Sequence, residues 1–276
     1  AASLPRAFDP TEGFFVTANQ DLSKYGEKKP QNCPMGTWRA ERIAELLSGR
    51  DDWDIEGARE LQLDLYSLQA ERYLAAAKQA IHGEPRADEL FTWDKRCTGD
   101  SREATLFERF YRELFLEVFG ASFGKAACEH LLHQTAMFAD FYDAFDNVLL
   151  RRKDSVWFGK RSRDEIYRAA FRRAAAQRPE PWSASQTITM RHMLFSGKLP
   201  AWLGFDVPGV VIAGSRATVH QGQVFRAGER DTSFTSSYRF VTDMSEDVMH
   251  TVLPGGSSDR RFCKWYKSDL ENWQKG

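Results

Sequence analysis

The sequence predicts an α+β fold in which a large helical body lies between two sheet-forming ends. Extended backbone is indicated near the start by GFFVTANQ, at 13–20, because aromatic and β-branched side chains favour a pleated, half-buried surface. Helical periodicity dominates the middle of the chain, and glycine-punctuated alternating segments follow it. We therefore divide the 276 residues into 1–36, 37–204 and 205–276, as one continuous unit rather than independent domains.

The opening segment combines the predicted strand with a polar loop. The strand stops at Asn19, a residue type that tolerates turn conformations. The loop that follows, DLSKYGEKKPQNCPMG at 21–36, is rich in turn-forming and charged residues, which is typical of a connection between elements. A strand that ends in this way can present a polar side chain at the margin of a sheet.

Apolar residues recur at steps of three and four after residue 50, as on one face of an α-helix. They are Ile55, Ala58, Leu61, Leu65 and Leu68. The sequence HGEP at 82–85 ends this predicted helix, with Gly83 available for the left-handed C′ position. The pattern therefore predicts one helix from about residue 55 to the residue before HGEP.

Three more helices are predicted downstream. The first begins after Asp100 or Ser101, either of which suits an N-cap. Its buried stripe comprises Leu106, Phe110, Leu114 and Val118. The second covers roughly 125–149. Its core candidates are Leu131, Phe138, Phe141, Phe145 and Leu149. The third runs from about Arg163 to Ala176 and ends before the sequence RPEPW.

Strand and turn signals return in the last part of the chain. The segment VVIAGSRATVHQGQVF, at 210–225, alternates and is interrupted by glycine, which predicts strands and hairpins. The segment SSYRFVTDMSEDVMHTVLPGG, at 236–256, predicts two strands joined by a polar turn at 245–247.

Charge and hydropathy exclude some partners. The 38 basic and 39 acidic residues give a formal net charge of −1, which provides no electrostatic reason to expect nucleic acid or an anionic membrane. No apolar run approaches the roughly 18 residues that a membrane span needs.

Cysteines and histidines offer no clear metal site. Cys33 and Cys97 lie in loop-like contexts, where a disulfide and free thiols are both consistent with the sequence, and Cys128 reads as a buried apolar residue. In CEHLLHQ, at 128–134, His130 and His133 have a spacing that would let both face a metal, but the intervening leucines indicate core. We assign no metal ligand. The sequences GSR, at 214–216, and PGGSSD, at 254–259, are expected to be turns.

Five segments, in their order along the chain, resemble the penicillin amidase family. They are FDPTEGFFVTANQD, WRAERIAELL, LFTWDKRCTGDSREATLFERF, SSYRFVTDM and TVLPGGSSDRRFCKWYKSDLENWQKG. The resemblance is to the C-terminal portion of the catalytic β subunit, and it runs over nearly the whole chain. The family includes penicillin, cephalosporin and acyl-homoserine lactone acylases. It implies the N-terminal nucleophile hydrolase fold, an αββα sandwich of two sheets between helix layers.

The resemblance also implies two catalytic residues. Asn19 matches the asparagine that ends the TAN strand, where the side-chain amide donates to the oxyanion. Arg39 matches the arginine that begins the next helix, where it supports that asparagine and the terminal amine. Without the resemblance, Asn19 reads as a turn residue and Arg39 as a surface charge packed on Trp38.

The family's nucleophile is a terminal Ser, Cys or Thr whose own α-amino group serves as the base. Because residue 1 is Ala, the resemblance implies that the nucleophile lies on another chain. The expected partners are the α chain and the N-terminal part of the β chain of the same processed precursor, together with a small-molecule amide substrate. The expected location is periplasmic or secreted. No cofactor is expected in this chain, and the resemblance allows a structural calcium elsewhere in the assembly.

Two segments depart from the family pattern. Residues 235–239 read TSSYR where the family has GpSyR, and 255–259 read GGSSD where it has GGQSG. Both departures are interpreted as structural. A non-catalytic descendant of the fold, acting as a binding or structural module, is the alternative interpretation.

Overall fold

A computed structural model describes residues 3–27, 34–134, 142–222 and 235–275. The described part is mostly helical and carries two small sheets. Its helices are α1 (Trp38–Ser48), α2 (Ile55–Gln62), α3 (Leu68–Ile81), α4 (Ala87–Thr92), α5 (Arg102–Phe123), α6 (Lys125–Gln134), α7 (Tyr142–Arg151), α8 (Arg163–Ala175) and α9 (Leu270–Lys275). Its strands are β1 (Thr187–Met190), β2 (Val207–Val211), β3 (Arg239–Thr242) and β4 (Met249–Val252). Short 3₁₀ turns occur at Ser23–Tyr25, Val156–Phe158, Trp182–Ala184 and Ala201–Leu203.

Helix α5 forms the centre of the helical body, where it packs against α4, α6 and α8 and contacts α3 through the ring of Tyr73, in an aromatic-rich core. The predicted stripe is confirmed, since every one of its members is buried. Ser101 is the N-cap, and its Oγ accepts a hydrogen bond from the backbone N–H of Ala104 at 3.0 Å. Helix α8 is also confirmed, and it begins with a capping box between Ser162 and Glu165.

The predicted helix from 55 to HGEP is wrong in one respect, because the structure has two helices there. Helix α2 ends at Gln62 and α3 begins at Leu68. Between them, the backbone N–H of Ser67 donates to Lys95 O at 3.0 Å, and Tyr66 pairs with Arg96 in an isolated β-bridge. These tertiary bonds satisfy the backbone groups that a continuous helix would have used. After α3, Gly83 takes the expected positive φ, at 79°.

The prediction for 125–149 is confirmed at both ends of the segment. Helices α6 and α7 occupy those ends, and 135–141, with Phe138 and Phe141, lie outside the described residues. Phe145 and Leu149 are fully buried, whereas Leu131 is half-buried. Cys128 is buried as predicted, and burial raises the pKa of its thiol. Cys97, Cys128 and Cys263 are free thiols, and Cys33 lies outside the described residues.

The two sheets are both antiparallel pairs. The β3–β4 hairpin is as predicted, with Arg239 opposite Val252 and a turn over 245–247. Strand β1 was not predicted, and its residues lie in the region that the sequence predicts to be mainly helical. It pairs with β2. The strands predicted over 210–225 are wrong for 212–222, which form a compact loop. Gly214 has a φ of 82° there, and an added Cβ would collide with the carbonyl oxygen of His220.

The opening strand predicted at 13–20 is not formed. No described segment pairs with it, and the side chain of Phe15 is 58% exposed. Backbone with strand propensity becomes a strand only where a neighbour accepts and donates its hydrogen bonds. Among the helices that the structure describes, none combines the length and apolar composition needed to cross a bilayer.

Candidate active site

Asn19 lies in a tight turn that side-chain and backbone bonds hold in place. Its φ is 65°, in the left-handed region that asparagine tolerates better than most residues. The side chain of Gln20 closes the turn, because Oε1 accepts from Ala18 N at 2.6 Å and Nε2 donates to Val16 O at 2.8 Å. The carbonyl of Asn19 accepts from Met35 N at 2.7 Å. The backbone that carries this exposed side chain is therefore held by hydrogen bonds from both Gln20 and Met35.

Arg39, in the first turn of α1, binds this turn directly. Its Nη2 donates to Asn19 Oδ1 at 2.8 Å and to Ala18 O at 2.9 Å. A guanidinium can only donate, so the amide of Asn19 must turn its oxygen toward Arg39. The amide nitrogen, which is a donor, is then on the opposite branch of the side chain. The structure thus brings together the two residues that the resemblance selects.

Two buried carboxyl groups also bind α1. Trp38 Nε1 donates to Asp146 Oδ2 at 2.8 Å, and Arg42 Nε donates to Asp64 Oδ2 at 2.8 Å. Trp38 and Arg42 are four residues apart and therefore share a face of the helix. The bond to Asp64 raises the pKa of Arg42. Helix α1 is fastened to the helical body at two consecutive turns.

Asp146 is a buried acidic residue beside α1 that sequence reasoning missed. It is 4% exposed and accepts four hydrogen bonds, since Tyr73 and Tyr111 donate to Oδ1, and Gln69 and Trp38 donate to Oδ2. Burial raises the pKa of Asp146, whereas the donors act in the opposite direction. The sequence did offer one signal, namely an acidic residue next to Phe145 in a predicted helix with an apolar face. A carboxyl group that is buried in such a helix needs hydrogen-bond partners from other elements.

The other sequence candidates behave as loops or surface. His130 is exposed, the side chain of His133 lies outside the described residues, and no cluster of three metal-ligating residues exists in the described ranges. The sequences GSR and PGGSSD lie in loops. Arg239, in TSSYR, is buried and donates to the carbonyls of Asn272 and Trp273, in accord with a structural role.

Three cavities, of about 190, 220 and 270 Å³, are lined by residues other than Asn19. One lies beside the β3–β4 hairpin, and a second lies between the end of β1 and the loop at 254–259. The largest lies behind α1, between Trp38 and Arg151. None of these three places a pocket wall at the amide of Asn19.

Comparison with known proteins identifies the family. The sequence profile of the penicillin amidase family matches residues 1–276, and the chain therefore belongs to that family. Among solved structures, it is similar to a thermostable penicillin G acylase from Alcaligenes faecalis, with a TM-score of 0.59 and 13% sequence identity. The match covers 98% of this chain and 54% of the acylase chain, so this chain spans about half the length of that relative. No curated protein matches the sequence.

Proposed function

We propose that this chain is the C-terminal piece of an acylase that hydrolyses the amide bond of a small N-acylated compound. Penicillin-, cephalosporin- and acyl-homoserine-lactone-like compounds are all candidate substrates. The observation that carries the proposal is the 2.8 Å bond between Arg39 Nη2 and Asn19 Oδ1, which commits the amide nitrogen of Asn19 to the role of donor. Family membership provides the reaction class.

In the proposed reaction, a terminal Ser, Cys or Thr of a partner chain attacks the acyl carbon, and its own α-amino group takes the proton. Negative charge then develops on the former carbonyl oxygen. Asn19 Nδ2 donates to this oxyanion from a turn that is already fixed, so that no dipole must reorient as the charge forms. The amine leaves with a proton returned by the same base, and water then hydrolyses the acyl-enzyme.

Arg39 has two proposed tasks. It holds Asn19 Oδ1 and Ala18 O through one guanidinium nitrogen, which fixes both the side chain and the backbone of the donor. Its positive charge also favours the neutral form of a nearby terminal amine, because like charges raise the cost of protonation. The neutral amine is the form that accepts a proton from the nucleophile.

The remaining walls of the site are proposed to come from the partner chains of the same precursor. Three observations support this. The chain covers 54% of the related acylase, and Asn19 does not line any of the three cavities described above. Phe8 and Phe15, in the segment that leads to Asn19, are exposed on this chain. A periplasmic or secreted location is proposed from the family alone.

The native assembly tests this function. We expect mass spectrometry of the purified material to find a partner chain that begins with Ser, Cys or Thr, and we expect the assembly to release amine from N-acyl compounds of graded chain length. A partner with another first residue, and no hydrolysis, would support the non-catalytic descendant instead. A stable lone monomer would remove the basis of the proposal.

Arg39→Lys is expected to lower kcat by about tenfold, equivalent to about 1.4 kcal/mol, with KM nearly unchanged. The ammonium of lysine is more strongly hydrated and lacks the rigid plane that holds a guanidinium nitrogen between two acceptors. Steady-state kinetics with one N-acyl substrate measures the effect. Arg59→Lys is the matched control, because the side chain of Arg59 is 43% exposed and its ion pair in the contacts described is with Glu56, which lies on the same helix. Equal kcat in the two variants would refute the role of Arg39.

A further inference from the structure

Helix α1 connects the proposed site to the helical body through neighbouring residues. Successive residues on an α-helix point about 100° apart, so Arg39 and Trp38 reach in different directions. Arg39 contacts Asn19 at 2.8 Å, and Trp38 contacts Asp146 at 2.8 Å. Asn19 is therefore linked to a buried carboxyl group by two hydrogen bonds and the backbone between Trp38 and Arg39.

The Asp146 end of this link is held in one position. Besides Trp38, its donors are Gln69 and Tyr73 on α3 and Tyr111 on α5, at 2.6–2.8 Å. Tyr73 is 0% exposed, and burial raises the pKa of its hydroxyl, which therefore stays protonated and donates. A carboxyl group with donors from three helices cannot shift without breaking several bonds at once.

The bond from Trp38 is one of the contacts that hold the first turns of α1 on the body, together with the ion pair between Glu41 and Arg72 and the packing of the Trp38 indole. If this bond were lost, Arg42 would still hold Asp64 one turn further along. We expect the helix then to stay docked through Arg42, while its first turn, where Arg39 lies, loses one of the bonds that fix its position. Displacing a catalytic group by about 1 Å costs on the order of 10²-fold in rate.

We propose that Trp38 and Asp146 are positioning residues for Arg39 and Asn19. They touch neither the substrate nor the reacting atoms, and they act by fixing the first turn of α1. This inference rests on the proposed function, because it assigns turnover to Asn19. It predicts that removing the indole N–H lowers kcat while substrate binding, and hence KM, stays within about twofold.

The test is Trp38→Phe in the complete, processed protein, with an expected fall of about tenfold in kcat. Trp182→Phe is the control for size and for loss of an indole donor, because Trp182 is 2% exposed and donates to Gly214 O at 2.9 Å rather than to Asp146. Tyr73→Phe is the control for the carboxyl group, because it removes one donor from Asp146 and leaves the bond to Trp38 in place. Both controls are expected to keep kcat within about twofold of the parent.

Each outcome decides the inference. If Trp38→Phe lowers kcat no more than either control, positioning by Trp38 is wrong. Asn19→Ala is measured alongside, because unchanged turnover in that variant refutes the proposed function itself. If the Trp38→Phe protein does not fold, 3-benzothienylalanine at position 38 replaces it, since sulfur then occupies the place of the N–H at nearly constant shape. Parental kcat in the benzothienyl variant would overturn the proposal.

Discussion

Asn19→Ala is expected to lower kcat by about 10²- to 10³-fold in the complete protein, equivalent to roughly 2.7–4 kcal/mol. The expected loss is large because, in the proposed reaction, the Asn19 amide donates to the substrate oxygen only when negative charge forms there. For the same reason, kcat and kcat/KM should fall together, and KM should change little. The free energy of unfolding should change less, by about 1–2 kcal/mol, because the side chain is exposed on this chain and the main cost is that of alanine at a positive φ. Steady-state kinetics and thermal unfolding measure the two effects.

A second substitution separates the side chain from the backbone. Asn19 has a φ of 65°, where alanine costs about 1–2 kcal/mol and glycine costs almost nothing. Asn19→Gly therefore removes the amide without straining the turn. If Asn19→Gly retains the parent's kcat and only Asn19→Ala is impaired, the effect comes from strain, and Asn19 is not the oxyanion donor.

Asp146→Ala is expected to reduce the free energy of unfolding by about 3–5 kcal/mol. The substitution leaves four buried donors without their acceptor, and they belong to residues on three different helices. For a protein of this size, we expect the melting temperature to fall by about 10 °C. Calorimetry or circular dichroism of the assembled protein measures the change.

Two variants of the same helix serve as controls for Asp146→Ala. Asp146→Asn keeps an oxygen that accepts from Trp38 and Gln69, and its amide can donate to the two tyrosine hydroxyl oxygens, so the expected loss is less than half as large. Asp143→Ala removes a half-buried acid from the first turn of α7 and should cost no more than about 1 kcal/mol. A similar loss in all three variants would show that the hydrogen bonds of Asp146 do not account for its contribution.

Local patterns predicted the elements whose causes are local. The stripe of α5, its N-cap at Ser101 and the turn of the β3–β4 hairpin depend on residues close together in the sequence. The break between α2 and α3 depends on Lys95 and Arg96, which come from another part of the chain. The strand predicted at 13–20 failed for a related reason, because strand propensity does not supply a pairing partner.

The candidate site also has parts that depend on local sequence and parts that depend on distant residues. The turn chemistry of Asn19 was visible in the sequence, but its pairing with Arg39 came from resemblance to a family, and the structure then placed the two residues 2.8 Å apart. Asp146 could not be found by pattern, because its donors come from separate points along the chain, at 38, 69, 73 and 111. Periodicity shows which face of a helix is buried, but not which polar groups meet there.

The separation of 108 positions in sequence between Trp38 and Asp146 has a consequence for the order of folding. Closing so long a loop is entropically costly, and contacts of this kind tend to form after helices that are near neighbours in sequence have paired. The segment that carries Asn19 and Arg39 is therefore expected to dock late, onto a helical body that has already formed. By the same reasoning, it should be among the first parts to detach when the native protein opens locally.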